Sequence, residues 1–169
     1  MSTRPHNCKS KKPRILKSDT IRFLGALERL QAKQNSRPAR ILLVDDDERH
    51  RESLRKLLSL VGYDCLSAGS GREAMELLEE QHVDLLLLDL LMPGMEGHRV
   101  MELVLAGNVD AAIVVISGDS TWTAVTRAMR RGADNFIRKP YAPDEVLSAI
   151  EKSLKKSEHR KKLEQKLVR

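Results

Sequence analysis

The 169-residue sequence predicts an α/β fold, a five-stranded doubly wound parallel sheet, with an extra amphipathic helix before it and an extended helix after it. Three observations predict it. Short apolar runs alternate with stretches of helical period between residues 40 and 152, the signature of parallel strands joined by crossover helices. Gly62, Gly107 and Gly132 stand where helix C-termini should lie. Charge is partitioned as well: net +9 over residues 1–40, −8 over 41–150 and +5 over 151–169, so an acidic core sits between basic flanks.

The first 17 residues are polar and basic, with two prolines, and bury too little apolar surface to offset the entropy of ordering them. They read as disordered. From Ser18 the pattern changes: Ile21, Phe23, Leu24, Leu27 and Leu30 recur near helical spacing, predicting an amphipathic helix over 18–34. Asn35-Ser36-Arg37-Pro38 breaks it, which makes residues 1–39 a basic arm.

The predicted strands are Ile41–Val44, a weaker Cys65–Ala68, Leu85–Leu88, Ala112–Ile116 and Phe136–Ile137. Helical patterns lie between them at Glu48–Val61, Arg72–Glu80, Val100–Leu105 and Thr121–Arg131, and a last one starts near Pro143. No Gly or Pro interrupts Glu145 to Arg169. Leu147, Ile150 and Leu154 keep a heptad-like spacing that Ser157 and Lys161 interrupt, before Leu163 and Leu167 resume in another phase. Residues 153–169 therefore read either as a solvated charged tail or as a signalling helix, and a coiled-coil homodimer through the last helices is the oligomer such a pattern allows.

Composition excludes several classes. No apolar run approaches the roughly 20 residues of a membrane-spanning helix, and Met1 to Arg14 lacks the apolar stretch of a secretory signal, which predicts a cytoplasmic protein. Cys8 and Cys65 are far apart and in no metal-ligand spacing, so they read as reduced thiols. The overall +6 charge would suggest a polyanion partner, yet the excess lies in the flanks, without an aromatic-interleaved basic patch; no specific nucleic-acid recognition is expected.

In a parallel sheet, ligands bind beyond the carboxyl ends of the strands. Four of the five runs end there in a reactive group: Asp45-Asp46-Asp47, Asp89, Ser117 and Lys139. Taken singly, such residues commonly begin loops and cap helices. Together, they bring three carboxylates to one edge, where each like-charge pair near 4 Å costs on the order of 4 kcal/mol at an effective dielectric of 20. Oxygen-only ligands select a hard cation, and Mg²⁺ shared between carboxylates and phosphate oxygens is the usual solution. A carboxylate is also a competent nucleophile toward phosphorus, with a lysine to pair with the phosphoryl group and a hydroxyl to hydrogen-bond it.

Four segments carry a resemblance: Ile41-Leu-Leu-Val-Asp-Asp-Asp47, Val83 through Asp89-Leu-Leu-Met-Pro-Gly to Gly97, Val114-Val-Ile-Ser-Gly118, and Gly132-Ala-Asp-Asn-Phe-Ile-Arg-Lys-Pro140. In order and without large gaps, they resemble the receiver domain of bacterial two-component response regulators over residues 40–152, and this implies the flavodoxin-like (βα)5 fold. The resemblance implies that Asp89 is the phosphoacceptor and that Asp45, Asp46, Asp89 and the backbone carbonyl of Leu91 hold Mg²⁺. Asp46 is implied as a direct ligand, with Asp45 acting partly through water. It further implies that Ser117 supplies the hydroxyl, Gly118 leaves room for the phosphoryl group, Lys139 is the cationic partner, and the Lys139–Pro140 bond is cis. Asp47 reads as a helix N-cap. Phe136 is either a core aromatic or the family's switch residue, rotating inward when Ser117 is drawn to the phosphoryl group.

A sensor histidine kinase or a histidine phosphotransfer protein is the implied partner, and the chain is implied to assist its own phosphorylation and dephosphorylation rather than to turn over a substrate. Leu91 is apolar where a hydrolytic water would be oriented, while Asp119 is acidic, so slow to moderate self-dephosphorylation is expected. Trp122 reads as a packing residue whose fluorescence reports the site. No output module is recognisable after residue 152, which leaves a stand-alone regulator or a piece of a longer protein. The 18–34 helix packs on the receiver, pairs in a dimer or binds a partner. Two other readings are a haloacid-dehalogenase-like phosphatase with Asp45 as nucleophile, against which Arg49 and the unexplained Leu90–Gly97 loop tell, and a receiver-like binding module that no longer uses phosphate.

Overall fold

A computed structural model describes residues 37–92, 97–107 and 109–167. The 18–34 helix, Cys8 and residues 93–96 of the loop after Asp89 lie outside the described residues. Five strands, β1 (Arg40–Val44), β2 (Asp64–Ala68), β3 (Leu85–Asp89), β4 (Ala112–Ser117) and β5 (Asn135–Arg138), alternate with five helices. The helices are α1 (Glu48–Leu60), α2 (Gly71–Glu80), α3 (Gly97–Ala106), α4 (Trp122–Arg130) and α5 (Pro143–Leu167). All strand pairs are parallel and the order is β2-β1-β3-β4-β5. The predicted doubly wound sheet is present, and its strand order reverses between β1 and β3, so a crevice opens beyond their carboxyl ends.

Alternation along the strands divides the core. Leu42, Val44, Leu86, Leu88, Ile113 and Val115 point to one face and meet Ala74, Met101, Val104 and Ala128 of α2, α3 and α4. Ile41, Leu43, Leu85, Leu87, Val114 and Ile116 point to the other and meet Leu54, Leu58, Val146 and Ile150 of α1 and α5. The central strands are buried on both sides and therefore read in sequence as unbroken apolar runs. Edge strand β2 keeps four half-buried residues, which is why its run is weaker.

Helix starts follow sequence chemistry. The Asp47 carboxylate accepts from the amides of Arg49 and His50, and Ser70 and Thr121 cap α2 and α4 in the same way. After α1 and α4, Gly62 and Gly132 take φ of 89° and 102°, the left-handed conformation glycine tolerates. Gly107 does not need it; its amide bonds to the Leu103 carbonyl instead. The Lys139–Pro140 bond is cis.

Helix α5 corrects the reading of its periodicity. It runs unbroken for 25 residues, and Ser157, taken as an interruption, is buried on the same face as Val146, Ile150 and Ser153. Small side chains continue the stripe where helix and sheet lie close, so the face is set by size rather than hydropathy. Lys161 extends it through a 3.0 Å ion pair to Asp110, while Leu163 and Leu167 are exposed. No helix among the described residues is long and apolar enough to cross a membrane.

Candidate functional site at the carboxyl end of the sheet

Strand β1 ends at buried Val44, and the next residue, Asp45, is itself buried with its carboxylate at the crevice. Its neighbour Asp46 is exposed, and Asp89 closes β3 beside it, buried. One carboxylate oxygen from each of the three lies within 4.8 Å of the others. Lys139, following β5, reaches across: its Nζ donates to Asp45 Oδ2 at 2.8 Å and to Asp89 Oδ2 at 2.7 Å. The other Asp89 oxygen accepts from the Leu91 amide at 2.9 Å, holding the start of the loop, and the Leu91 side chain turns outward.

Burial alone would raise the pKa of Asp45. Hydrogen bonds from His50, Lys139 and the Asp47 amide outweigh it, and the carboxyl falls to about 2. Burial likewise works against the Lys139 ammonium, but its two carboxylate partners prevail and its pKa is raised. Three carboxylates thus surround one bridging ammonium, an arrangement whose surplus negative charge is offset by a hard cation. The donor set fits one, being three carboxylates with no thiolate.

The structure brings Asp45, Asp46, Asp89 and Lys139 together. Ser117 ends β4 at the same edge, buried, where its Oγ accepts from the Asp119 amide at 3.2 Å. A Cβ on Gly118 would meet no atom within 4 Å, so open space adjoins the strand end. Phe136 is half-buried against the α2–α4 side of the core. The Asp119 carboxylate is exposed and accepts from the Thr121 amide, which holds its pKa down. Trp122 does not pack: it is 83% exposed. It borders a groove of about 490 Å³ with Arg127, Arg130 and Arg131.

Sequence reasoning missed four residues. His50 Nδ1 lies 2.5 Å from Asp45 Oδ2, and its Nε2 meets the Tyr141 hydroxyl. Arg51 donates to the Asp45 carbonyl at 2.6 Å. The backbone of Gly97 packs on the residue that ends β3; a Cβ there would fall on the Asp89 carbonyl oxygen and 2.6 Å from Leu90 Cα. One signal was available for His50. It stands four residues before Leu54 and eight before Leu58, a polar side chain on the buried stripe of α1.

Comparison with known proteins decides the family. The model of the response regulator receiver domain matches residues 41–151. This chain belongs to the response regulator receiver family. Among relatives, Response regulator MprA of Mycolicibacterium vanbaalenii is 35% identical over 120 residues, covering 71% of this chain and 52% of that protein. A probable transcriptional regulator, ycf27, of Cyanidium caldarium is 30% identical over 132 residues, 78% of this chain and 53% of that protein. The chain therefore spans about half the length of the curated relatives it matches. A CheY-like receiver domain protein of Methanospirillum hungatei superposes with a TM-score of 0.69 at 28% identity, over 73% of this chain and 98% of that one. The receiver domain is a module of two-component signalling, and the phosphatase reading of Asp45 falls with this match.

Proposed function

We propose that this receiver domain accepts a phosphoryl group on Asp89 from a phosphohistidine of a histidine kinase or phosphotransfer protein. The observation that carries the reading is the Lys139 ammonium bridging Asp45 and Asp89, with Asp46 completing the carboxylate cluster. An Asp89 oxygen attacks phosphorus in line, the O–P bond forms as the N–P bond breaks, and the leaving imidazole nitrogen takes up a proton. Lys139 exchanges a carboxylate partner for a phosphoryl oxygen. Asp45, Asp46, Asp89 and the Leu91 carbonyl would hold Mg²⁺, which would supply positive charge to offset the phosphoryl oxygens.

Ser117 then turns its hydroxyl from the Asp119 amide to the phosphoryl group. The loop after β4 follows and Phe136 moves into the space vacated, shifting a population between two packings rather than remaking the fold. On this reading residues 40–152 are the receiver, in the cytoplasm, flanked by the basic arm 1–39 and the helix extension 153–169, the latter available for dimerisation or output.

The test uses the full chain with Mg²⁺ and a small acyl phosphate donor. One acid-stable, base-labile phosphoryl group is expected on Asp89 and none on Asp89→Asn, measured by intact mass. Uptake by Asp89→Asn at the wild-type rate sinks the assignment. A folded wild-type chain that takes up nothing points instead to a binding module that no longer uses phosphate.

A further inference from the structure

His50 touches the carboxylate cluster and Tyr141 touches His50, yet phosphoryl transfer gives them no task. His50 sits in the first turn of α1 with its imidazole turned toward the domain, while its neighbours Glu48 and Arg49 stay exposed. Nδ1 lies 2.5 Å from Asp45 Oδ2, the oxygen that Lys139 also holds at 2.8 Å. On its far side Nε2 meets the hydroxyl of Tyr141, and the rings lie tilted by 47° with centroids 5.7 Å apart. Tyr141 belongs to the short segment between Pro140 and the start of α5.

The direction of this chain is set by its ends. A carboxylate only accepts, so Nδ1 carries the hydrogen that points at Asp45. In the neutral imidazole Nε2 is then the acceptor and the phenol the donor. Burial in the first place, then Asp45 and Asp89, push the Tyr141 pKa up to about 12 against the opposing pull of Lys139, so the phenol keeps the proton it donates. Each bond polarises the next, and each group has its partner only while the others hold position.

We propose that His50 is a positioning residue that holds Asp45 and carries the occupancy of the acidic site through Tyr141 to the start of α5. The inference rests on the reading of Asp45, Asp46 and Asp89 as a cation site. A cation there draws charge from the Asp45 carboxylate and weakens it as an acceptor. The Nδ1–H bond lengthens, the imidazole pivots, and Tyr141 follows Nε2, to which it is bonded and beside which it is half-buried. Ser117 and Phe136 work on the α2–α4 face of the sheet; this relay works on the opposite face, between α1 and α5.

The experiment is NMR on the isotope-labelled full chain, titrated with MgCl₂ and no phosphodonor. Before any Mg²⁺ is added, the imidazole nitrogens should show the Nδ1–H tautomer, and Tyr141→Phe should move the Nε2 resonance toward that of an unbonded acceptor. Mg²⁺ should then shift the Asp46 amide, His50 Nδ1 and the Tyr141 ring together. In His50→Leu, and in His50→Asn, whose amide keeps a donor for Asp45 but stops short of Tyr141, the Asp46 shift should persist and the Tyr141 shift vanish. A Tyr141 response as large in His50→Leu as in the wild type, or none in the wild type while the Asp46 amide moves, overturns the relay alone. Mg²⁺ that shifts none of Asp45, Asp46 and Asp89 overturns the cation site and the relay with it.

Discussion

The two ends of the parallel sheet both carry aspartates, and they treat them oppositely. Beyond the carboxyl ends, Asp45, Asp46 and Asp89 crowd within 4.8 Å, and a single ammonium, Lys139, bridges two of them. Before the amino ends, each aspartate is matched. Asp84 accepts from the Arg40 amide and Asp64 from the Arg40 side chain. Asp134 takes the Ile113 amide together with Lys156 and Arg160 of α5, and Asp110 takes Lys161. Matched carboxylates tie elements together, whereas crowded ones stay costly until something else arrives. On the proposed function, identical residue types at two ends of one sheet thus serve stability at one end and binding at the other.

The sharpest way to break this contrast is Asp46→Asn. Asp46 is exposed, so its loss should leave the melting temperature of the metal-free chain unchanged or slightly raised. Mg²⁺ affinity should fall by more than about 100-fold, the upper end of what loss of an outer partner costs a metal site. Calorimetric titration with MgCl₂ checks it; an unchanged affinity would mean the surplus charge is not a ligand set.

At the matched end the expectation reverses. Asp134→Ala strands the buried Ile113 amide at the start of β4 and should cost about 2–3 kcal/mol of unfolding free energy, typical for losing a hydrogen bond to a charged group. Asp134→Asn keeps an acceptor for that amide and loses only the charge attraction to the exposed side chains of Lys156 and Arg160, so urea denaturation should show a smaller loss. Equal losses would assign the stabilisation to charge rather than to the amide.

Acid separates the ends by a third route. A carboxyl held at about 2 in the folded chain against 3.8 in the unfolded one makes Asp45 contribute about 2 kcal/mol above pH 4. Since the folded value is the depressed one, that contribution is complete above the unfolded value and disappears as pH falls from about 4 to about 2. Denaturant midpoints in EDTA should drop across that window in the wild type and less in Asp45→Asn. A drop of equal size in both would locate the acid sensitivity elsewhere.

What the sequence revealed follows from the same contrast. Asp45, Asp46, Asp89, Ser117 and Lys139 were legible because each stands directly after an apolar run, and a parallel topology gathers strand ends without further information. β1, β3 and β4 were legible because burial on both faces leaves no polar position within them. His50 and Tyr141 were not, since their meeting depends on how α1 and the chain after β5 lean over the crevice, 91 residues apart in sequence. Gly97 gave no signal because its requirement is a backbone approach to Asp89, and Ser157 misled because hydropathy does not register a small residue filling a narrow gap.

The basic extension of α5 offers the finest test of whether matched charge matters at all. Lys161 pairs with Asp110 at 3.0 Å, but Asp110 is largely exposed and free to be hydrated. Exposed pairs contribute little because two long side chains lose freedom for a weak attraction in water. Lys161→Ala should therefore cost under about 0.5 kcal/mol, and salt should erase even that. A larger, salt-insensitive loss would show that the aliphatic stem of Lys161, itself mostly covered, is what seals the last turns of α5 to the sheet. In that case burial, and not charge pairing, holds the extension in place.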